Sequence, residues 1–371
     1  MKISQFQFER NALESMVGGL SVMDIPHISV QSRDEAKQFL IAYGYDIDND
    51  EDLAKLWSYH RKAVTFVQSE LLTADEVVPA KLSDPKELGD ITNLLIIAST
   101  RGNDLQKWAC GIIKVIHTFV HLENDLFNQY SSEIQDQILK PIQAHIHEDS
   151  VIGTTLGPAL GPESIVLKKF EIKSFKTTTS SITKLLAKSD LVAFTLLDKL
   201  GVRIVTKHLF DVFRVLKYFL DNNIVSFPHN VPDQSGNTLY PLNLLFETLE
   251  TLSSQHNYSS DEIDKILLKR LSENEDRAEF KKKINNFSSQ EFKFVKFITR
   301  RLVKLNIKSQ DKPHQMTFFY PYEIQIVDYE THLKNNSGPA SHEAYKSRQL
   351  HKARRRVLGL SLSENQQDET I

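Results

Sequence analysis

Asp198-Lys199-Leu200-Gly201-Val202-Arg203-Ile204-Val205-Thr206 is a compact β-prone run, closed by an amphipathic segment, Leu209 to Leu220, with Val212, Val215, Leu216 and Phe219 on one helical face. A strand leading straight into a helix is α/β or α+β texture. Working outward, Ile165-Val166-Leu167 and Lys169-Phe170-Glu171-Ile172 read as strand and Ser180 to Leu186 as a short helix. Downstream, Pro228 to Gly236 reads as loop and Leu242 to Lys283 as largely helical and charge-rich. Phe292 to Leu302 alternates as a strand, and Phe318 to Val327 (FFYPYEIQIV) is the last one.

The texture upstream is different. From about residue 10 to 150 the pattern is helical, clearest over Leu105 to Asn128, where Ile112, Val115, Phe119, Leu122 and Leu126 recur at steps of three and four. Asn49-Asp50-Glu51-Asp52 reads as an acidic helix start, and Asp84-Pro85 opens another helix at its first turn. Gly153-Thr154-Thr155-Leu156-Gly157-Pro158 and Gly161-Pro162 interrupt the helical pattern, which predicts a linker and a boundary near residue 160. The expected architecture is therefore α+β: an all-α domain over 1–160, a mixed sheet flanked by helices over 161–358, a helical insertion at about 239–287, and a disordered polar tail over 359–371.

At about 150 residues per domain, 371 residues allow about two to three domains. Lys+Arg 45 against Asp+Glu 48 gives a net charge of −3, which excludes a globally basic nucleic-acid footprint and leaves local patches. A single cysteine, Cys110, makes neither an internal disulfide nor a thiolate metal site, which fits a reducing compartment. The N-terminal residues lack a signal-peptide core, and no run reaches about 18 uninterrupted apolar residues, so a cytoplasmic protein without membrane contact is expected.

Two carboxylates stand out. Glu323, flanked by Ile324 and Ile326 inside a strand, is costly to bury unless paired with a cation, and Asp198 begins the run that decides the fold. Carboxylates on rigid strands can hold Mg²⁺ against nucleotide phosphates; the alternative is that both face solvent or pair with lysines.

Asp198-Lys199-Leu200-Gly201-Val202-Arg203-Ile204-Val205 followed by Asp211-Val212-Phe213-Arg214-Val215-Leu216 resembles the D-x-x-G-x-R-I-x strand and following helix of RelA/SpoT-type (p)ppGpp synthetase domains. Tyr322-Glu323-Ile324-Gln325-Ile326 with His332, Gly338, Ala340, His342, Tyr345 and Lys346 resembles that family's E-x-Q-I strand and its H-x(5)-G-x-A-x-H-x-x-Y-K continuation. The likeness covers roughly residues 165 to 350. It implies a nucleotidyltransferase-like fold in which Asp198 and Glu323 face each other across adjacent strands and hold Mg²⁺, with Glu323 also acting on the acceptor hydroxyl. It further implies that Lys176, Ser181 and Lys184, from a segment similar to the family's R-x-K then S-I-x-x-K, cradle the phosphates of ATP, with Arg203 against adenine or phosphate; the alternative for Arg203 is a pairing with a structural carboxylate. Gln325, His332 and His342 are further nucleotide-side positions. The activity implied is pyrophosphate transfer from Mg·ATP to a 3′-hydroxyl.

The departures fall on the acceptor side. Where the family has G-Y-x-S-L-H, this chain has Glu291-Phe292-Lys293-Phe294-Val295-Lys296, so an aromatic to stack the acceptor base survives at Phe292 while Lys296 replaces histidine. The arginine of E-x-Q-I-R-T is Val327, and the A-E pair before the glycine is Asn335-Asn336. An acceptor other than plain GDP or GTP is expected, with an RNA 3′ end and adenosine nucleotides as candidates. The rival reading is a catalytically inactive nucleotide sensor or interaction protein. The basic run Lys346 to Arg356 is either a solvated helix face or an RNA contact. His117 and His121, one helical turn apart and followed by Glu123, raise a second rival, a metal-dependent hydrolase; His145 and His147 ahead of Glu148-Asp149 are further candidate ligands.

Overall fold

A computed structural model of the chain describes residues 10–26, 28–158, 160–175, 178–188, 196–252, 256–281, 287, 289, 291–307 and 314–359. The chain is mixed α and β and divides into two compact units, one of residues 1–125, 177–195 and 346–371, the other of 126–176 and 196–345.

The first unit is built of helices joined by turns and loops, with no strand among its described residues. Its Asp50–Phe66 helix starts where Asn49 accepts hydrogen bonds from the amides of Glu51 and Asp52, three acids following in the first turn. Asp84 caps Pro85–Leu88 in the same way. The central Gln106–Glu123 helix buries Ile112, Val115, Phe119 and Leu122. The C-terminal helix His342–Leu358 runs from the second unit into the first, where Arg354 donates to the Leu71 carbonyl at 2.9 Å and to Glu76 at 2.6 Å.

Among the described residues the second unit is built on seven strands: β1 (Ile146–Asp149), β2 (Gly153–Leu156), β3 (Ile165–Lys173), β4 (Gly201–Thr206), β5 (Gly236–Asn237), β6 (Val295–Ile307) and β7 (His314–Asp328). Their order is β1-β2-β3-β4-β7-β6-β5, and only β4 and β7 run parallel. A parallel pair needs a long crossover, and the Leu209–Asp221 helix lies on it. Val202, Ile204, Ile324 and Ile326 share a core with Val212, Val215 and Phe219 of that helix and with Ile134, Ile138 and Ile142 of the Ser131–Gln143 helix.

The boundary therefore falls after Asp125, not near residue 160, and the presumed linker Gly153–Pro158 is strand β2 and the turn after it. Glycines that end a helical pattern also make hairpin turns. Gly157 has φ +86°, and a Cβ there would lie 2.9 Å from the Tyr218 ring. The insertion consists of the helices Leu242–Thr251 and Ser260–Glu273 with a short turn at Glu275–Arg277. It is fastened to the crossover helix by Asp264, which accepts from the amides of Leu209 and Phe210 at 2.9 and 2.7 Å. The tail from residue 360 lies outside the described residues.

Candidate active site

Alternation along β7 sends Tyr322, Ile324 and Ile326 into the core and Glu323 and Gln325 to the opposite face of the sheet. Pairing register lines up what lies beside them. Lys173, Gly201, Glu323 and Ile298 form one row across β3, β4, β7 and β6; Glu171, Arg203, Gln325 and Lys296 form the next row on the same face. Gly201 lets the two central strands close up, since a Cβ there would sit 2.4 Å from the Glu323 carbonyl oxygen.

Glu323 is buried and ion-paired twice. Lys173 Nζ donates to its Oε1 at 2.6 Å, and Lys296 Nζ lies 3.2 Å from its Oε2. Burial pushes the carboxyl up, and the two ammoniums outweigh it, holding Glu323 below the usual carboxylate range. Burial lowers Lys173, whereas for Lys296 the attraction of Glu323 and Asp198 overcomes burial and raises it. Lys173 also donates to Gln325 Oε1 at 2.9 Å, which accepts from Arg203 Nε at 3.2 Å. Arg203 Nη1 in turn stands 3.7 Å from Glu171 Oε2.

Asp198 occupies the turn before β4, and its charge acts on both Glu323 and Lys296. His332, on the Tyr329–Asn335 helix, shares the field of Arg203, Glu171 and Lys169, and burial followed by Arg203 lowers its pKa. Asn335, at the position of the family's A-E pair, is buried and brackets Lys293, accepting from its amide at 3.1 Å and donating to its carbonyl at 2.7 Å. Phe292 precedes β6 with its ring 5.5 Å from that of Phe294, which Lys296 Nζ overlies at 5.8 Å. His342 stacks on Tyr345, and Tyr345 is among the groups acting on Lys296.

The structure thus gathers Asp198, Glu323, Arg203, Lys296, Gln325 and His332 around one sheet face. Lys176 lies outside the described residues, and Ser181 and Lys184 belong to the Thr178–Ala187 helix of the first unit, where Ser181 is buried. Sequence reading missed Lys173 and Glu171 as site residues. The available signal was the strand Lys169–Ile172 itself, whose odd positions place Glu171 and Lys173 on the face opposite Phe170 and Ile172.

In the basic run, Arg354 and Arg356 are committed to structure. Arg356 donates to Asp24 at 2.8 Å and to the Leu186 carbonyl at 2.6 Å, while Lys346, Lys352 and Arg355 are exposed. His117 Nδ1 is hydrogen-bonded to the Tyr43 hydroxyl at 2.7 Å, and Glu123 pairs with Lys62 at 2.7 Å. His145 is hydrogen-bonded to the Tyr218 hydroxyl at 2.9 Å and belongs with His147 to the second unit.

Among the described residues no group of three or more His, Cys, Asp and Glu side chains is arranged to hold a metal ion. Asp198 and Glu323 are nonetheless hard oxygen donors of the kind Mg²⁺ takes in ones and twos, substrate phosphates completing its shell. No described helix is long and apolar enough to cross a membrane. No protein-family model matches this chain, and no curated protein matches it, so the RelA/SpoT likeness rests on the motifs quoted above.

Proposed function

We propose that the sheet unit carries a nucleotide site that transfers pyrophosphate from Mg·ATP to the 3′-hydroxyl of a nucleotide or RNA end. The observation that carries this reading is the convergence of Asp198 and Glu323: the parallel pairing of Gly201 with Glu323 joins the turn holding one acid to the strand holding the other, and Lys296 feels both charges. Asp198 and Glu323 would hold the Mg²⁺, which neutralises charge on the triphosphate. Lys173 and Lys296 offer ammoniums to phosphate oxygens as charge develops, and the ionised Glu323 orients the acceptor hydroxyl by accepting its hydrogen bond. The bond from the acceptor oxygen to the β-phosphorus forms as the bond from that phosphorus to the oxygen it shares with the α-phosphorus breaks; the hydroxyl proton passes by way of Glu323 to water, and AMP leaves with the shared oxygen.

A second reading has its own observation. Both oxygens of Glu323 are already engaged by ammoniums, as suits a site that binds a nucleotide without turnover. Incubation with γ-labelled ATP and, separately, GDP, GTP, ADP, ATP and bulk RNA decides between them. The transferase reading expects label on an acceptor with matching AMP release, and a loss of about a hundredfold or more in Asp198→Asn and Glu323→Gln. ATP binding with no label transferred to any acceptor would overturn it in favour of the sensor.

A further inference from the structure

Past the charged rows, β6 and β7 continue as a hairpin paired in unbroken register from Val295↔Ile326 to Ile307↔His314. Val303, Leu305 and Tyr320 turn into the core, while Arg300, Leu302, Lys304, Thr317 and Phe319 stay exposed on the other face. That face presents large apolar groups to water: Phe319 is 48% exposed and Leu302, directly opposite it, 44%. Around Phe319 the chemistry is specific. The Arg300 guanidinium lies 5.8 Å from the ring centroid, and the His229 ring meets it edge-on at 4.9 Å. Arg300 Nε also donates to the His229 carbonyl at 3.4 Å, and Phe227, in the same short turn as His229, is 76% exposed.

The charge is one-sided. On the exposed face of the hairpin the cations are Arg300 and Lys304, with Lys296 in the charged row before them paired to Glu323, and no Asp or Glu stands on β6 or on β7 before Glu323 among the described residues. An exposed ring with Arg300 beside it and Lys304 further along the strand fits a polyanion that carries flat stacking surfaces.

We propose that this hairpin face binds single-stranded RNA, one base stacking on Phe319 beside Arg300 and the backbone phosphates lying along Arg300 and Lys304. A duplex keeps its base faces stacked inside the helix, so only an unpaired strand can offer them. Phe227, exposed in the turn whose His229 meets Phe319, offers a second aromatic surface. Thr317 and Asn306 are exposed on the same face and can hydrogen-bond a 2′-hydroxyl, which favours RNA over DNA. The proposal does not depend on the transferase reading, because neither Asp198 nor Glu323 takes part and binding needs no ATP.

The test is fluorescence anisotropy of the full chain, without ATP or Mg²⁺, using a labelled oligouridylate of about twelve nucleotides, its duplex with oligoadenylate, an oligothymidylate of equal length, and unlabelled UMP as competitor. The single-stranded RNA should bind tightest. Phe319→Ala should weaken it about 5- to 150-fold, the equivalent of one lost base stack, while Phe319→Trp keeps the stacking surface and the affinity. Arg300→Gln should reduce the slope of log K against log salt by about 0.7, one phosphate contact. Wild-type affinity in Phe319→Ala, equal binding of duplex and single strand, tighter binding of oligothymidylate, or competition by UMP as strong as by the oligomer would each overturn the proposal.

Discussion

Replacing Lys173 with Met removes one of the two cations that hold a buried carboxylate, and the geometry sets the size of the effect. Lys173 Nζ is 2.6 Å from Glu323 Oε1 and Lys296 Nζ 3.2 Å from Oε2, so the two attractions are of similar strength and neither lysine alone carries the balance. Breaking a buried pair by removing one partner costs about 3–5 kcal/mol. Here Lys296 stays, and the Lys173 side chain is 29% exposed, which lowers the expectation to about 2–3 kcal/mol for Lys173→Met. Glu323→Gln in the same chain should recover much of that, because a neutral amide no longer needs a second cation; a coupling of about 1.5 kcal/mol or more in the double-mutant cycle is expected. The probe must report the right unit. Both tryptophans, Trp57 and Trp108, lie in the first unit, so hydrogen exchange of the β4 and β7 amides is the appropriate measurement. A Lys173→Met cost below about 0.5 kcal/mol, or strict additivity with Glu323→Gln, would refute the view that the lysines are there to balance Glu323.

Two further predictions concern the first unit and the strand pairing at Glu323. Burial lowers the His117 pKa from 6.5 to about 4, so the unfolded chain takes up the proton first; this contribution to stability is complete above about pH 6.5 and is lost as the pH falls from there to about 4. The loss is about 2–3 kcal/mol, and His117→Asn should flatten the pH dependence of urea melts followed by the fluorescence of Trp57 and Trp108; equal slopes in both proteins would count against it. Gly201→Ala puts a methyl 2.4 Å from the Glu323 carbonyl oxygen, a main-chain atom that cannot swing aside, so a cost near about 3 kcal/mol and faster exchange across β4 and β7 are expected; unchanged exchange would contradict the close approach.

The elements legible in the sequence are those whose periodicity is local. The Leu209–Asp221 helix and the Val212, Val215, Phe219 stripe follow from spacing alone, as does the buried face of the Gln106–Glu123 helix. Strand β2 was not legible, because Gly153-Thr154-Thr155-Leu156 is four residues of low apolar content and becomes strand only by pairing with β1 and β3. The division after Asp125 was equally hidden: the Ser131–Gln143 helix has the same amphipathic pattern whether it packs on other helices or, as here, joins the core of the sheet. At the candidate site, Asp198 and Glu323 were readable by motif, and Lys296 as a departure from it. Lys173 was readable only as part of the polar face of its strand; that it meets Glu323 lies in cross-strand register, which no stretch of sequence states.

Register is also what ties the site to the fold. Glu323 and Gln325 are buried polar groups, tolerable only because Lys173 reaches them from β3, Arg203 from β4 and Lys296 from β6. Those three strands are placed by the opposite face, where Val202 and Ile204 pair with Ile324 and Ile326 over the crossover helix. A one-residue slip in any of the three pairings would send its strand's apolar set out of the core and its polar set in, so the apolar face enforces the register that the charges need. Any anion that enters competes with Glu323 for ammoniums the fold has already placed. At the proposed nucleotide site, selection would therefore fall less on creating positive charge than on how readily Glu323 can release it.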